Sequence, residues 1–117
     1  MENRSMREKR QHVRIALRLR YRLSVDTATY TGLTGNISLG GVYLESIDTP
    51  LPAEALGQTA RIDLFNNDVE LISTDCRVVF IGREDFPTAR GVGIAFEGAD
   101  GMALERLQSF LVKCISI

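Results

Sequence analysis

Apolar and polar residues alternate with a period of two along much of the chain, and this pattern restricts the possible folds more than any other feature. It is clearest in residues 15–23, where every second residue is apolar and the outward positions include Arg18, Arg20 and Arg22. A period of two is typical of a strand with one buried face. Because 117 residues is the length of a single domain, we expect one β domain.

Five further segments have strand character, and residues that form turns or loops separate them. These segments are residues 30–37, 42–45, 60–65, 69–81 and 91–96. A Gly-Gly pair at 40–41 bends the chain between the first two, and Asn-Asn-Asp at 66–68 has the composition of a tight turn. The prolines in 48–57 and 82–90 indicate loops. The sequence therefore predicts about six strands.

The hydrophobic period changes after Asp100. Apolar residues then recur at three- and four-residue spacing, at Leu104, Leu107, Leu111 and Cys114. This spacing indicates an amphipathic helix that Asp100 can cap. The apolar stripe of the helix needs a cover, and an open end or side of the sheet supplies one. The predicted fold is an all-β barrel with a C-terminal α-helix.

The amino-acid composition limits the classes of protein to which this chain can belong. Hydrophobic residues make up 44% and charged residues 25% of the chain, as in ordinary globular proteins. No apolar run approaches the roughly 20 residues of a spanning helix, and no signal-peptide core is evident. We therefore expect a cytoplasmic protein without membrane insertion. Cys76, Cys114 and the lone His12 lie too far apart for a zinc site, so we expect no metal and no cofactor.

Charge is distributed unevenly along the chain. Residues 1–22 hold eight Lys or Arg against two acidic residues, whereas residues 23–117 hold six against thirteen. The two parts thus carry net charges of +6 and −7. A basic arm beside an acidic body favours one local site for a small anion over a general polyanion-binding surface.

The first candidate motif is the R-x-x-x-R spacing of Arg10 and Arg14, where the basic arm enters the first strand. Two guanidinium groups at this junction can approach a ligand from two sides. Each offers a planar fork that matches phosphate oxygens or the O6 and N7 atoms of guanine. A charged run is also typical of a solvated face, so this spacing alone does not establish a site.

The second candidate motif follows in residues 36–41. Strand alternation places Asn36 and Ser38 on one face. The apolar residues assigned to the opposite face are Leu33, Ile37 and Leu39. Asn36 offers a donor and an acceptor, Ser38 a hydroxyl, and Gly41 a backbone that a flat ligand can approach. The same residue types are also the commonest in ordinary turns.

In this order and at this separation, the two motifs resemble those of the PilZ domain, a bacterial receptor module for cyclic di-GMP. The family has an R-x-x-x-R motif, matched by Arg10 and Arg14, and a [D/N]-x-S-x-x-G motif. The second motif is matched by Asn36, Ser38 and Gly41. The G-x-G-x-x-F pattern of residues 91–96 is similar to a segment near the end of PilZ barrels. The resemblance implies a six-stranded antiparallel barrel with a C-terminal helix.

The resemblance also implies the role of each motif residue. Arg10 and Arg14 would wrap cyclic di-GMP and contact its phosphates and the Hoogsteen edges of its guanines. The barrel-side wall would be formed by Asn36, Ser38 and Gly41. Lys9 stands at the position that bears on whether one ligand or an intercalated pair is held, and Arg7 would add a further contact. His12 has no partner for catalysis, so we assign it no function.

The resulting hypothesis is a non-enzymatic receptor with two parts. Residues 1–14 are expected to form a flexible basic arm, and residues 15–117 the barrel and its helix. Cyclic di-GMP would fold the arm against the barrel and change the surface seen by a separate effector protein. Two alternatives remain open at this point: a nucleic-acid-binding module that uses the basic arm, and a PilZ-like adaptor that binds only proteins.

Overall fold

The structure is a computed structural model that describes residues 14–82 and 91–115. Seven strands, one short 3-10 helix and one α-helix form this part of the chain. In chain order they are β1 (Ile15–Ala16), β2 (Arg20–Val25), β3 (Ala28–Ile37), β4 (Gly41–Leu44), the 3-10 helix (Ala53–Ala55), β5 (Thr59–Asn66), β6 (Val69–Ile81), β7 (Val92–Phe96) and α1 (Gly101–Ile115). The predicted strands and the C-terminal helix are all present.

Six of the strands close into an antiparallel barrel. Around the barrel the order is β2, β3, β4, β7, β6 and β5, and β5 pairs back to β2. β1 adds no seventh position, because it pairs with the same edge of β3 as β2 does. Closure leaves no exposed sheet edge among these strands. The expected six-stranded antiparallel barrel with a C-terminal helix is confirmed.

The predicted first strand is interrupted. Residues 17–19 separate β1 from β2, although Leu19, Tyr21 and Leu23 are buried at every second position, as expected. The fully buried Thr34 bridges the interruption: its hydroxyl donates to the Leu17 carbonyl (2.6 Å) and accepts from the Leu19 amide (2.8 Å). The buried hydroxyl thus supplements two backbone bonds across the interruption, from the Leu17 amide to the Gly35 carbonyl (3.3 Å) and from the Thr34 amide to the Leu19 carbonyl (2.9 Å). Periodicity along one segment does not reveal such a bridge.

β3 changes face near its end. Thr34 and Ile37 are both fully buried, three residues apart, and the pairing with β4 shifts register between Thr34 and Asn36. Such a bulge puts two successive residues on the same side of a strand. The sequence prediction that Leu33 faces inward with Ile37 is wrong, because Leu33 lies opposite the exposed Arg20 and is not packed on the core.

The core fills the barrel and continues under α1. Leu107 and Leu111 of the helix are buried, each contributing about 1.5–3 kcal/mol by removal from water. The helix begins as predicted, since the Asp100 carboxylate accepts a hydrogen bond from the Ala103 amide at 2.7 Å. Its polar residues, such as Glu105, face solvent. No helix in the described ranges is long and apolar enough to span a membrane.

The two cysteines differ in environment, which gives a first prediction. Cys76 is fully buried, whereas Cys114 on α1 is half-buried. Burial raises the pKa of the Cys76 thiol to about 12, and the charges of Asp75 and Glu97 act in the same direction. We expect a thiol reagent at pH 8 to label Cys114 in the native protein and Cys76 only after unfolding. Rapid labelling of native Cys114→Ser would contradict this assignment.

The raised pKa of Cys76 makes the free energy of unfolding depend on pH. An unfolded-state thiol has a pKa of about 8.5, so on raising the pH the unfolded chain loses this proton before the folded protein does. Cys76 therefore lowers the free energy of unfolding as the pH rises from about 9 to about 12. Denaturant titrations of the wild type and Cys76→Ala across this range measure the effect, which the variant should lack.

Candidate ligand-binding face

The strand register brings the two sequence motifs together on the outer face of the barrel. Ile15 lies opposite Ile37, and Ala16 lies opposite Asn36. Extending the same register by one residue places Arg14 across from Ser38. Residues directly opposite in antiparallel strands share a face, and Arg14 and Ala16 are both exposed. The pairing thus sets the exposed guanidinium of the first motif beside the polar residues of the second.

Asn36 occupies the middle of this face. It lies opposite Ala16 on one side and Tyr43 on the other, and it is half-buried. Among the hydrogen bonds of the described residues, none involves its carboxamide. The small side chain of Ala16 leaves room next to it. Asn36 can therefore offer both a donor and an acceptor to a molecule bound on the barrel surface.

Ser38 is engaged in the turn between β3 and β4. Its hydroxyl accepts from the Gly40 amide at 3.2 Å and donates to the Gly41 carbonyl at 3.4 Å. The Ser38 amide also donates to the Gly41 carbonyl, at 2.9 Å. Because a hydroxyl oxygen has two lone pairs, Ser38 can hold the turn and still accept a further bond.

Gly41 has a structural reason to lack a side chain. It pairs with Ala95 of β7, and a Cβ atom at position 41 would collide with the Ile94 carbonyl oxygen. The close approach that glycine allows here is therefore between two strands of the barrel. Its predicted contact with a ligand involves only the backbone of the Ser38–Gly41 turn and stays a prediction.

Tyr43 is a residue of this face that the sequence interpretation missed. It lies between Asn36 and Gly93, and its hydroxyl accepts a hydrogen bond from the Gly91 amide at 2.7 Å. Its Cδ2 atom also lies 3.4 Å from the position that a Cβ of Gly35 would occupy. The ring is thus held across the outer face beside Asn36. Two signals could have identified Tyr43. It lies two residues after Gly41 and so shares its face, and the register of the hairpin sets it opposite Asn36.

The arginines of the first strand divide into paired and unpaired ones. As the alternating pattern predicts, Arg18, Arg20 and Arg22 point outward, and each has an acidic partner. The pairs are Arg18 with Glu45, Arg20 with Asp68 and Arg22 with Asp63. Arg14 has no ion pair with any residue in the described ranges. Within that part of the chain, no carboxylate competes with an anion for the Arg14 guanidinium.

Three predicted contact residues, Arg7, Lys9 and Arg10, lie outside the described residues. The structure places Arg14, Asn36, Ser38 and Gly41 at one end of the outer face and gives no position for the others. No group of three or more potential metal ligands occurs in residues 14–82 and 91–115. Chemically, Arg14 on this face can bind an anion. Asn36 and Ser38 can form hydrogen bonds with polar groups of the bound molecule.

A depression elsewhere on the barrel is mainly acidic, in contrast to the face around Arg14. Its volume is about 610 Å³, and it lies near the turn between β2 and β3, at the other end of the strand from Arg14. It is lined by Ser24, Asp26, Thr59, Ala60, Arg61, Asp75, Glu97 and Gly98. Three carboxylates against a single lining guanidinium disfavour an anion. The Arg14 end is the better candidate for an anionic ligand.

Comparison of the sequence with known protein families gives a match to one of them. The sequence profile of the PilZ domain matches residues 8–113, which is most of the chain. The chain belongs to the PilZ family. The matched range includes both motifs, with Arg10 and Arg14 in the first and Asn36, Ser38 and Gly41 in the second. A comparison with curated protein sequences gave no significant match.

Solved structures of other proteins share the fold. The PilZ domain of YcgR from Escherichia coli, solved with c-di-GMP, superposes with a TM-score of 0.70 at 17% identity, covering 90% of each chain. The PilZ domain of CeSA from a cellulose-synthesizing bacterium gives 0.65 at 14%, covering 87% of this chain and 97% of that one. The inhibitor of motility MotI/DgrA from Bacillus subtilis gives 0.71 at 19%, covering 90% of this chain. This PilZ chain spans 50% of the length of MotI.

Proposed function

We propose that this PilZ chain is a receptor for cyclic di-GMP and not an enzyme. The observation that carries the proposal is the exposed Arg14 guanidinium, which has no ion pair within residues 14–82 and 91–115 and which the β1–β3 register sets beside Asn36 and Ser38 on one outer face. Family membership, with both motifs intact, supports this reading. The solved YcgR domain with c-di-GMP shows that the same fold can hold this ligand.

Each group on the face has a chemical task in the proposed complex. The Arg14 fork would bind a phosphate or the O6 and N7 atoms of a guanine, a bidentate contact worth about 1–3 kcal/mol. Asn36 would hydrogen-bond a base edge through its carboxamide. Arg10 would add a second guanidinium from the arm, with Lys9 and Arg7 next to it. These assignments are part of the proposal.

The proposed output is a change in the surface of the protein. Residues 1–14 would be held against the barrel by the ligand, so that a separate effector protein meets a different surface in the bound state. Ordering residues 1–14 in the complex would lower their conformational entropy, which opposes binding. The free energy gained from the phosphate and guanine contacts must exceed that loss. A cytoplasmic location, where a cyclic dinucleotide would be encountered, belongs to the same proposal.

Isothermal titration calorimetry with cyclic di-GMP tests this function. We expect saturable heat with cyclic di-GMP, little with cyclic di-AMP or GTP, and an affinity that falls as salt is raised from 50 to 500 mM because charge attraction is screened. Absence of heat with cyclic di-GMP would favour an adaptor that binds only proteins. Binding of labelled oligonucleotides that cyclic di-GMP does not displace would favour a nucleic-acid module.

A further inference from the structure

An ion pair lies on the same outer face, on the other side of Asn36 from Arg14. The Arg18 guanidinium contacts the Glu45 carboxylate at 2.6 Å between Nη2 and Oε2. Arg14, Ala16 and Arg18 are at every second position, so all three face outward. At about 3.3 Å per residue of extended chain, the Cα atoms of Arg14 and Arg18 are at most about 13 Å apart. Two guanidinium groups therefore flank Asn36.

Glu45 is held close to this face by packing. Its Cβ atom lies 3.1 Å from the position that a Cβ of Gly35 would occupy, and the Tyr43 ring meets the same spot. Gly35 directly precedes Asn36 in the β3 bulge. Glu45 also follows Tyr43 by two residues, about 7 Å along the chain. The Glu45 Oε1 atom lies 3.5 Å from the same Gly35 Cβ position, so the carboxylate is next to the residue that precedes Asn36.

We propose that the Arg18–Glu45 pair sets the affinity of the site for a doubly anionic ligand, an inference that rests on the proposed cyclic di-GMP function. In the free protein Glu45 holds Arg18 and repels an approaching phosphate. In the complex one phosphate of the ligand lies near Arg14 and the other competes with Glu45 for Arg18. Arg18 is then an additional ligand-binding residue, and Glu45 is a positioning residue that acts through it.

Exposure makes this exchange feasible. The Arg18 and Glu45 side chains are 67% and 46% exposed. Ion pairs exposed to this degree are weak, because water screens the attraction and ordering two long side chains opposes it. A dianion can therefore take over the guanidinium, whereas a deeply buried pair would resist exchange. The Arg20–Asp68 pair, with side chains 74% and 86% exposed, offers a matched comparison one outward position further along the strand.

The test is calorimetry of Glu45→Gln against Asp68→Asn, each with cyclic di-GMP at 50 and 500 mM salt. At low salt we expect Glu45→Gln to bind about threefold to tenfold tighter than the wild type, because one repulsion is removed and Arg18 is released. The gain should shrink at high salt, since its origin is charge. Asp68→Asn should bind as the wild type does. Arg18→Gln combined with Glu45→Gln should lose the gain.

The outcomes separate this inference from the proposed function. If no variant binds cyclic di-GMP, the receptor function itself fails. If the wild type binds and Glu45→Gln is equal to Asp68→Asn, or binds more weakly, the role of the pair is overturned alone. A gain that persists at 500 mM salt would also overturn it, because packing and not charge would then be the cause. An undiminished gain in the double variant would overturn it too, because Arg18 would then not be its source. Thermal unfolding of each variant verifies that it folds.

Discussion

Arg14→Ala should weaken binding of cyclic di-GMP by roughly 100-fold, the loss of a bidentate guanidinium contact worth up to about 3 kcal/mol. The physical reason is that Arg14 is exposed and has no ion pair among the described residues, so none of their carboxylates competes with the ligand for its guanidinium. Its removal should leave the Tm of the ligand-free protein nearly unchanged, since exposed substitutions shift stability by less than about 0.5 kcal/mol. Calorimetry and thermal unfolding measure the two effects.

The matched control for this prediction is Arg20→Ala. Arg20 belongs to the same series of outward arginines and is exposed, but it is paired with Asp68 and lies opposite Leu33 and Phe65. Its loss removes an equal charge without touching the proposed site, so binding should remain within about threefold of wild type. Equal losses in both variants would mean that arginines act only through general positive charge.

Gly41→Ala should destabilise the ligand-free protein by about 3 kcal/mol and lower its Tm by at least about 10 °C. An added Cβ would collide with the Ile94 carbonyl oxygen, a backbone atom of β7 that cannot move without disturbing the barrel. The substitution disturbs the pairing of β4 with β7, so the loss of stability should be present in the absence of any ligand. Thermal and urea unfolding of the two proteins measure it.

Gly101→Ala is the control for Gly41→Ala. Gly101 begins α1, and nothing lies within 4 Å of a Cβ placed there. Alanine favours the helix and restricts the unfolded chain, so this variant should be as stable as the wild type or slightly more stable. If Gly41→Ala unfolds at the wild-type temperature yet fails to bind cyclic di-GMP, position 41 serves the ligand and the packing explanation is wrong.

Local patterns in the sequence were sufficient for most of the fold. Period-two alternation identified the strands, because each strand of a small barrel buries one face. The change of period after Asp100 identified the helix, whose buried residues include Leu107 and Leu111. The outward positions of Arg18, Arg20 and Arg22 also followed from the pattern. The motif spacing located Arg14, Asn36 and Ser38, which the structure places together.

Other features depended on contacts between distant segments. The interruption between β1 and β2 is tied to the Thr34 hydroxyl, which lies fifteen residues after Leu19 in sequence. The outward position of Leu33 follows from a bulge in β3, and a one-residue shift reverses every face that simple alternation assigns. Neither the fixed Tyr43 ring nor Glu45 near Asn36 could be recognised before the hairpin register was known.

By itself the sequence determined which residues prefer a buried face, where the chain turns and which side chains can bind a phosphate or a guanine, because these properties belong to single residues and their near neighbours. Only the tertiary structure decided that Arg18 is held by Glu45 while Arg14 has no acidic partner among the described residues, and that Gly41 faces the backbone of β7. Charge pairing and close packing depend on which strands become neighbours, and barrel closure sets that for the whole chain at once.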